Sequence, residues 1–194
     1  MNKKTNISDT IIYSFRRCPY AMRARMGLVI ANIPFEIIEV DLKNKPAEMI
    51  EFSSKATVPV LVTSDGRVID ESLDIISWAC GDNFDHNLVM ENDGYFKRNL
   101  DRYKYPNRYE DEDCSDARDN AEVFLKKLNT IVNIKQTTLT DICIFPFVRQ
   151  CANVDRIWFD ALPYPHLQQW LDFHINRELF RMIFDKKFKG ILKN

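Results

Sequence analysis

Cys18 opens the segment of the sequence that is best suited to chemistry, Cys18-Pro19-Tyr20-Ala21. The β-branched and aromatic run Ile11–Ser14 precedes this segment, and apolar residues at helical spacing follow it over Ala21–Ala31. A thiol at the start of a helix lies beside unpaired backbone amides and the positive end of the helix dipole, and both stabilise a thiolate. Because the thiolate is the nucleophilic form of cysteine, this position predicts that Cys18 is reactive.

The charge around Cys18 supports the same interpretation. Four arginines lie within seven residues of it: Arg16, Arg17, Arg23 and Arg25. Nearby positive charge favours a thiolate over a thiol. The competing interpretation is a buried cysteine that serves as a small hydrophobic residue, which is the usual state of a single cysteine. The position before a proline-led helix, among arginines, favours the reactive thiol.

Ala21 decides the type of thiol chemistry. It stands where a dithiol redox motif has its second cysteine, three residues after the first. Without that cysteine, an external thiol has to resolve any mixed disulfide that forms on Cys18, unless a distant cysteine such as Cys80 comes within reach. The sequence therefore predicts a monothiol catalyst.

Two further segments indicate where a peptide would bind. In Thr57-Val58-Pro59-Val60 a proline begins an inner strand, although proline cannot donate a hydrogen bond to a neighbouring strand. We therefore expect a cis Val58–Pro59 bond that turns the Val58 backbone outward. The exposed backbone could then pair with an extended peptide as an added strand. An ordinary turn explains these residues equally well. In Asp70-Glu71-Ser72, Ser72 is expected to cap a helix whose amides bind a carboxylate, while Glu71 accepts from an ammonium group. Alone, such a cap is usually structural; together with Cys18, the two segments form a candidate peptide site.

Composition limits the remaining possibilities. Of the 194 residues, 45% are hydrophobic and 12% aromatic, which is enough for a substantial core, and the 27 basic and 28 acidic residues give a net charge of −1. This balance argues against nucleic acid or an anionic membrane as a partner. The polar run Met1–Thr10 lacks the apolar core of a signal peptide, and no stretch reaches the roughly 20 apolar residues of a membrane span. The five cysteines lack zinc-site or disulfide spacing and indicate reduced thiols in a cytoplasmic protein without a metal site.

The element pattern divides the chain into two domains. Up to residue 80 the order is strand, helix, strand, helix, strand, strand, helix, which predicts an α/β layer with a small mixed sheet. After residue 81 the sequence predicts helices alone, near 86–104, 115–129, 139–153, 165–174 and 177–185. We therefore expect an α/β domain over 1–81 and an all-helical domain over 82–194. The three histidines, His86, His166 and His174, lie apart from one another in the sequence and suggest no catalytic or metal role.

Four segments carry a resemblance to a known family: CPYAMRAR at 18–25, DLKNKP at 41–46, TVPVL at 57–61 and DES at 70–72. As a set they resemble the thioredoxin-fold domain of cytosolic glutathione transferases, in particular the omega-like, cysteine-containing class of bacterial-type glutathione S-transferases. The helical half is similar through its capping motif at 138–141. The resemblance implies a thioredoxin-like N-terminal domain and an all-α C-terminal domain.

The resemblance also implies roles for single residues. Cys18 would form a mixed disulfide with glutathione and Tyr20 would lie near its sulfur. Lys45 would lie near the glycine carboxylate, and Val58, before a cis Pro59, would pair with the cysteinyl unit. Glu71 and Ser72 would hold the γ-glutamyl end.

Members of the family with a catalytic cysteine act as thiol transferases that reduce glutathionylated compounds or dehydroascorbate, usually as homodimers. The resemblance therefore implies glutathione as cosubstrate, a small electrophilic or disulfide acceptor, and no metal. Two alternatives stay open: a glutathione-conjugating transferase, and a non-catalytic regulatory protein on the same fold. The chain departs from the family in its short length, its lack of a proline-rich linker after Gly81, and the segment 101–113. The tyrosines there, Tyr103, Tyr105 and Tyr109, could wall an acceptor pocket, but packing is the favoured interpretation.

Overall fold

A five-stranded mixed sheet forms the centre of the first of two compact units. The computed structural model of the protein describes residues 9–192. In chain order the strands are β1 (Ile11–Ser14), β2 (Phe35–Glu39), β3 (Val60–Val62), β4 (Val68–Ile69) and β5 (Gly190–Ile191). They lie in the order β4-β3-β1-β2-β5; the β1–β2 pair is parallel and the other three pairs are antiparallel.

Helices make up most of the rest of the described chain. They are α1 (Pro19–Ile30), α2 (Ala47–Phe52), α3 (Ser72–Cys80), α4 (His86–Glu91), α5 (Lys97–Lys104), α6 (Ala117–Ile131), α7 (Leu139–Ala152), α8 (Arg156–Ala161), α9 (Pro165–Asn176) and α10 (Glu178–Phe184). A π-helical segment, Asn92–Phe96, joins α4 to α5, and a 3-10 turn, Pro106–Arg108, follows α5.

The predicted fold class, an α/β unit followed by helices, is confirmed. Most elements also lie within a few residues of their predicted places, including the continuous helical stretch 86–104. The short helix α8 was not predicted, because six residues are too few to show a helical period; Asp155 caps it by accepting a hydrogen bond from Trp158 N at 2.9 Å. β2 ends at Glu39, and a turn between Asp41 and Asn44 follows it.

The sheet of the first unit buries an apolar cluster on each face. Side chains alternate along a strand, so Ile12 and Tyr13 of β1 point to opposite faces. Ile12 belongs to the cluster that includes residues of α1 and α3, such as Leu28 and Ile75. Tyr13 belongs to the other cluster, together with Met49 of α2. Since both faces are covered, β1 is held at the centre of the unit.

Gly27 allows α1 and α3 to approach closely on their shared face of the sheet. A Cβ atom at Gly27 would lie 2.5 Å from Ile76 Cδ1, which is closer than such atoms come in proteins. The Cys80 thiol donates to the Gly27 carbonyl oxygen at 3.3 Å. This close approach matters because α1 begins beside Cys18 and α3 begins at Ser72.

The C-terminal segment groups with the first unit, not with the helices that precede it in the chain. Residues 178–192 join residues 9–82, while Asn83–Arg177 forms the second unit. α10 lies against α1, and β5 pairs with β2, where Ile37 N donates to Lys189 O at 2.9 Å. The expected helical domain, 82–194, therefore differs from the structure in its last part, because a two-residue strand gives almost no sequence signal. Residues 1–8 and 193–194 of the two expected domains lie outside the described residues.

The described residues of the second unit form helices joined by turns and loops, with no strand among them, and enclose their own core. The predicted capping box is present: Thr138 Oγ1 accepts from Asp141 N at 3.2 Å, and Asp141 Oδ2 accepts from Thr138 N at 2.6 Å. Trp170 Nε1 also donates to Asp141 Oδ1 at 2.9 Å. The rings of Tyr103 and Trp158 meet edge to face at 5.9 Å, which supports packing as the role of this tyrosine. Within residues 9–192, none of the helices is long and apolar enough to cross a membrane.

Gly190 provides a test of how the C-terminal segment is held. Its φ of +108° lies in the region that favours glycine, and an added Cβ would lie 1.9 Å from Phe35 O. We expect Gly190→Ala to separate β5 from β2 and to lower the free energy of unfolding in urea by about 2 kcal/mol. The control Gly66→Ala has φ +84° but open space around it, so it should cost about 1 kcal/mol. Equal losses in the two variants would contradict a steric role for Gly190.

His174 predicts how the stability of the second unit depends on pH. Its side chain is buried beside the ring of Trp170, and burial lowers its pKa to about 4, although the charge of Asp141 acts in the opposite direction. Below pH 6.5 the unfolded chain binds a proton that the folded chain does not, so stability is lost as the pH falls from 6.5 towards 4. Urea titrations followed by tryptophan fluorescence should show this loss in the wild type and in the exposed control His86→Gln. The loss should be smaller in His174→Phe; an unchanged pH dependence in that variant would contradict the assignment.

Candidate functional site

Cys18 lies at the N-cap position of α1, immediately before Pro19 at the first helical position. Proline suits that position because the first helical N–H has no partner within the helix and the fixed φ of proline matches the helix. The Cys18 backbone N–H donates to Phe15 O at 3.0 Å, which fixes the turn between β1 and α1. The thiol is half-buried and lies at the positive end of a twelve-residue helix, as the sequence predicts.

The thiol of Cys18 meets the loop before β3. Its Sγ atom lies 3.8 Å from the carbonyl oxygen of Val58, a residue forty positions further along the chain. The Val58–Pro59 peptide bond is cis, in line with the expectation from the sequence. The backbone of Val58 therefore lies beside the candidate nucleophile.

A buried arginine connects α1 to the start of α3. Arg23 is 1% exposed, and its Nη2 and Nε atoms donate to Ser72 Oγ at 2.9 and 3.3 Å. The Arg23 guanidinium also lies 5.4 Å from the centre of the Tyr20 ring, within cation–π range. Tyr20, Arg23 and Ser72 thus form one connected group, which the sequence pattern did not reveal because it gave no reason to bury an arginine.

Ser72 differs from its predicted role as a helix cap. Glu71 occupies the N-cap position of α3, without a capping bond from its side chain, and Ser72 is the first helical residue. The Ser72 hydroxyl is buried and accepts from Arg23. The first backbone N–H groups of a helix have no partner within the helix. At the start of α3 it is therefore these N–H groups, and not the Ser72 hydroxyl, that suit a carboxylate.

A second arginine of α1, Arg25, is 2% exposed and carries charge close to Cys18. Its Nη2 donates to Arg16 O at 2.7 Å and its Nε donates to Ala21 O at 3.3 Å, so it ties the turn that contains Cys18 to α1. Burial lowers its pKa to about 10, while interaction with Glu39 and with Cys18 acts in the opposite direction. Arg25 therefore stays protonated at neutral pH, and its charge favours a thiolate at Cys18.

Lys55 occupies the acidic turn before α3. Its Nζ atom donates to Glu71 Oε1 at 2.6 Å and to Asp70 Oδ1 at 3.1 Å. Ser53 Oγ donates to Asp70 Oδ2 at 2.6 Å, and this bond, together with Lys55, lowers the pKa of Asp70. The Glu71 side chain is 60% exposed, so a bound ammonium group could share it with Lys55. Neither Ser53 nor Lys55 was expected at the site, because nothing in the sequence shows which residues of the preceding loop reach these carboxylates.

Lys45 is the predicted site residue with the weakest structural connection. It is half-buried between the Asp41–Asn44 turn and α2. Among residues 9–192, no side-chain hydrogen bond or ion pair joins Lys45 to Cys18, Val58 or Ser72.

The other thiols have different surroundings from Cys18. None of the five cysteines forms a disulfide. Burial raises the pKa of Cys80, and it raises that of Cys151 to about 12. Cys80 donates to Gly27 O, so its thiol is engaged within the α1–α3 contact. The described residues contain no cluster of three or more side chains that could hold a metal ion.

Comparison with known proteins identifies a family model and individual proteins that are similar in sequence to this chain. Residues 17–81 match the family model of the glutathione S-transferase N-terminal domain. Glutathione S-transferase omega-1 of Mus musculus is 42% identical over 62 residues, which cover 32% of this chain and 26% of the relative. The match therefore spans about a quarter of that relative's length. Omega-1 of Sus scrofa is 25% identical over 181 residues, covering 83% of this chain and 70% of the relative.

A solved structure extends the likeness in fold to nearly the whole chain. It is a glutathione transferase from Pseudomonas putida, solved with one glutathione disulfide bound per subunit. The TM-score is 0.76 at 17% identity, and the alignment covers 95% of this chain and 94% of that one. The fold, with a thioredoxin-like unit and a helical unit, is thus shared.

The charge of Arg25 gives a testable prediction about Cys18. We expect Arg25→Gln, whose amide keeps a donor in place of the guanidinium, to slow alkylation of Cys18 by iodoacetamide at pH 7 by roughly tenfold, because the thiolate loses a buried opposite charge. Arg17→Gln is the matched control, since Arg17 is closer to Cys18 in sequence but exposed and stacked over Phe15. Circular dichroism should confirm that both variants are folded. Equal rates for the wild type and Arg25→Gln would contradict the prediction.

Proposed function

Because this chain belongs to the glutathione transferase family, with a first unit similar to omega-class members, we propose that it is a glutathione-dependent thiol transferase acting through Cys18. The observation that carries the proposal is the position of the Cys18 thiol, 3.8 Å from the Val58 carbonyl oxygen. A peptide that pairs with the backbone of Val58 as an added strand brings its own cysteine next to that thiol.

The remaining groups suit the two ends of glutathione. At the γ-glutamyl end, the backbone N–H groups at the start of α3 suit the carboxylate and Glu71 suits the ammonium group. Lys55 shares Glu71 with that ammonium group and keeps Asp70 as a second partner. We assign Lys45 to the glycine carboxylate and Tyr20 to the wall beside the sulfur, with Pro59 fixing the turn next to Val58. Ser72 contributes its backbone N–H, since its hydroxyl accepts from Arg23.

The proposed reaction is two successive thiol–disulfide exchanges. The Cys18 thiolate attacks the glutathione sulfur of a mixed disulfide R–S–S–G, forms a Cys18–S–S–G bond and releases the acceptor thiolate, which takes up a proton. The thiolate of a second glutathione then attacks the glutathione sulfur on Cys18. This step forms glutathione disulfide and returns the Cys18 thiolate. The net reaction converts R–S–S–G and one free glutathione into R–SH and glutathione disulfide, so the second half of that disulfide comes from the mixed disulfide itself.

The acceptor class follows from this chemistry. A glutathionylated compound or another small disulfide enters the first exchange directly. A dehydroascorbate-type acceptor has a different stoichiometry: it takes up two electrons and two protons from two free glutathione molecules, which leave as glutathione disulfide. No metal takes part in either proposed sequence.

Conjugation of glutathione is the less favoured activity, because it relies on a hydroxyl that stabilises the glutathione thiolate. Tyr13 and Ser14, the hydroxyl residues nearest to Cys18 on β1, are both buried in the strand. The Tyr13 hydroxyl donates to Glu48 Oε2 at 3.3 Å, and burial and Glu48 raise its pKa to about 12. A hydroxyl with these surroundings does not serve a glutathione sulfur at Cys18.

We also propose that the protein works as a homodimer in the cytoplasm. The family resemblance supports the dimer, and the odd number of cysteines without disulfide spacing supports a reducing compartment. The net charge of −1 favours small-molecule partners over nucleic acid or an anionic membrane.

Mass spectrometry after exposure to oxidised glutathione tests the nucleophile. We expect one glutathione adduct per chain, located at Cys18, because Cys80 and Cys151 have raised pKa values and are poor nucleophiles at pH 7. In a disulfide-exchange assay, Cys18→Ser should lower the rate by at least about a hundredfold, since a serine hydroxyl is not ionised at neutral pH. Cys114→Ser is the matched control and should keep the wild-type rate.

Two results would contradict the proposal. One is modification spread over several cysteines without preference for Cys18. The other is a wild-type protein that neither binds glutathione-agarose nor exchanges disulfides, which would favour the non-catalytic alternative. If Cys18→Ser instead gained conjugation of an electrophilic aromatic substrate while losing disulfide exchange, thiol transfer would stand as the native activity.

A further inference from the structure

A separate cavity of about 240 Å³ lies in the first unit, at the edge of the sheet where the C-terminal segment passes β2. Three parts of the chain line it: the turn before α1 together with α1, the end of β2, and residues 185–189. Its charged side chains are Arg16, Arg25, Glu39, Asp185, Lys186 and Lys189. None of these residues was singled out by the sequence as part of a second site.

The cavity carries net positive charge. The lining has four basic and two acidic side chains, which give it a formal net charge of +2. One carboxylate, Glu39, accepts from the Arg16 backbone N–H at 2.8 Å. The Arg16 guanidinium lies 5.0 Å from the centre of the Phe184 ring, a contact that leaves its charge in place. Within residues 9–192, no ion pair within 4 Å involves Arg16, Lys186 or Lys189. The excess charge is therefore available to a ligand.

Arg25 is the buried, charged side chain of the cavity lining. It is 2% exposed, and two of its five N–H donors are bonded, to the carbonyl oxygens of Arg16 and Ala21. A hydrogen bond from a buried guanidinium to a charged acceptor is stronger than one from a solvent-exposed lysine, and Arg25 has further N–H donors to form it. The two backbone bonds hold its plane in place, so it is organised for an oxyanion before the ligand arrives.

The size and the apolar wall narrow the ligand class. Ile37 and Phe188 supply apolar surface to the same cavity. Its volume lies below the roughly 300 to 1,000 Å³ of pockets that hold drug-sized ligands. A net charge of +2 matches a dianion best. We propose that this cavity binds a small organic phosphate, with the phosphate on Arg25 and the lysines and the organic group against Ile37 and Phe188.

The same geometry couples the cavity to Cys18. Arg25 both lines the cavity and interacts electrostatically with Cys18. A dianion on Arg25 offsets the positive charge that favours the Cys18 thiolate, so an occupied cavity lowers the reactivity of that thiol. This second part rests on the reactive Cys18 of the proposed function, whereas binding to the cavity does not.

Isothermal titration calorimetry of the full chain with phenyl phosphate, without glutathione, tests the binding. The phosphate is largely dianionic at pH 7.5 and its ring is small enough to meet the apolar wall. We expect saturable binding at 0.15 M salt, weaker binding of inorganic phosphate, which lacks the ring, and no binding of phenol, which lacks the charge.

Surface lysines provide matched variants. The double substitution Lys186→Gln and Lys189→Gln removes two charges that line the cavity and should weaken phenyl phosphate binding by about tenfold. Lys187→Gln removes a charge from the same segment outside the cavity lining and should leave the affinity unchanged. Absence of saturable binding would overturn the proposal, and so would equal losses in the two variants. An unchanged affinity in the double variant would mean that phenyl phosphate binds elsewhere, for example at the candidate site between Cys18 and Ser72, and this result would also overturn the proposal.

Alkylation of Cys18 by iodoacetamide tests the coupling. Saturating phenyl phosphate should slow the reaction by about threefold in the wild type and in Lys187→Gln, because the dianion partly offsets the charge of Arg25. At the same concentration the double lysine variant should show a smaller effect. Binding without any change in the alkylation rate would overturn the coupling. Neither measurement uses glutathione, so failure here is distinguishable from failure of the proposed thiol transferase activity.

Discussion

The bonds from the buried Arg23 guanidinium to the Ser72 hydroxyl join the two helices on which the candidate site depends. α1 begins beside Cys18 and α3 begins at Ser72, and Gly27 lets the two helices approach closely further along. A charge buried in this way is costly unless it is hydrogen-bonded, so the arginine and the hydroxyl constrain each other. The start of α3 is thereby held at a fixed position relative to the nucleophile on α1.

Arg25 adds a second constraint on the same helix. Its bonds to Arg16 and Ala21 fix the turn before α1, and its charge reaches both Cys18 and the cavity beside β2. The buried Arg25 guanidinium thus fixes the turn that contains Cys18, favours the thiolate form of Cys18 and lines the proposed phosphate cavity. An arrangement of this kind links the reactivity of the half-buried Cys18 thiol to the occupancy of the cavity through charge.

The C-terminal segment completes the first unit after the chain has passed through the helices of the second. β5 covers the edge of β2, which would otherwise present unpaired backbone groups, and Gly190 is the residue that fits against Phe35. The same segment supplies Lys186, Phe188 and Lys189 to the cavity. The cavity therefore exists only because residues near the two ends of the chain belong to one compact unit.

The sequence by itself determined the fold class, the places of most helices and strands and the position of Cys18 before a proline-led helix. These features depend on local signals, namely apolar periodicity, capping residues and proline geometry. The sequence left the cis Val58–Pro59 bond and an ordinary turn as equal alternatives, and the tertiary structure shows the cis bond. The tertiary structure alone decided that Arg23 bonds Ser72, that Lys55 pairs with Glu71 and that residues 178–192 return to the first sheet. Each of these joins residues far apart in the chain, and nothing local in a sequence records which distant partner satisfies a buried charge or a free strand edge.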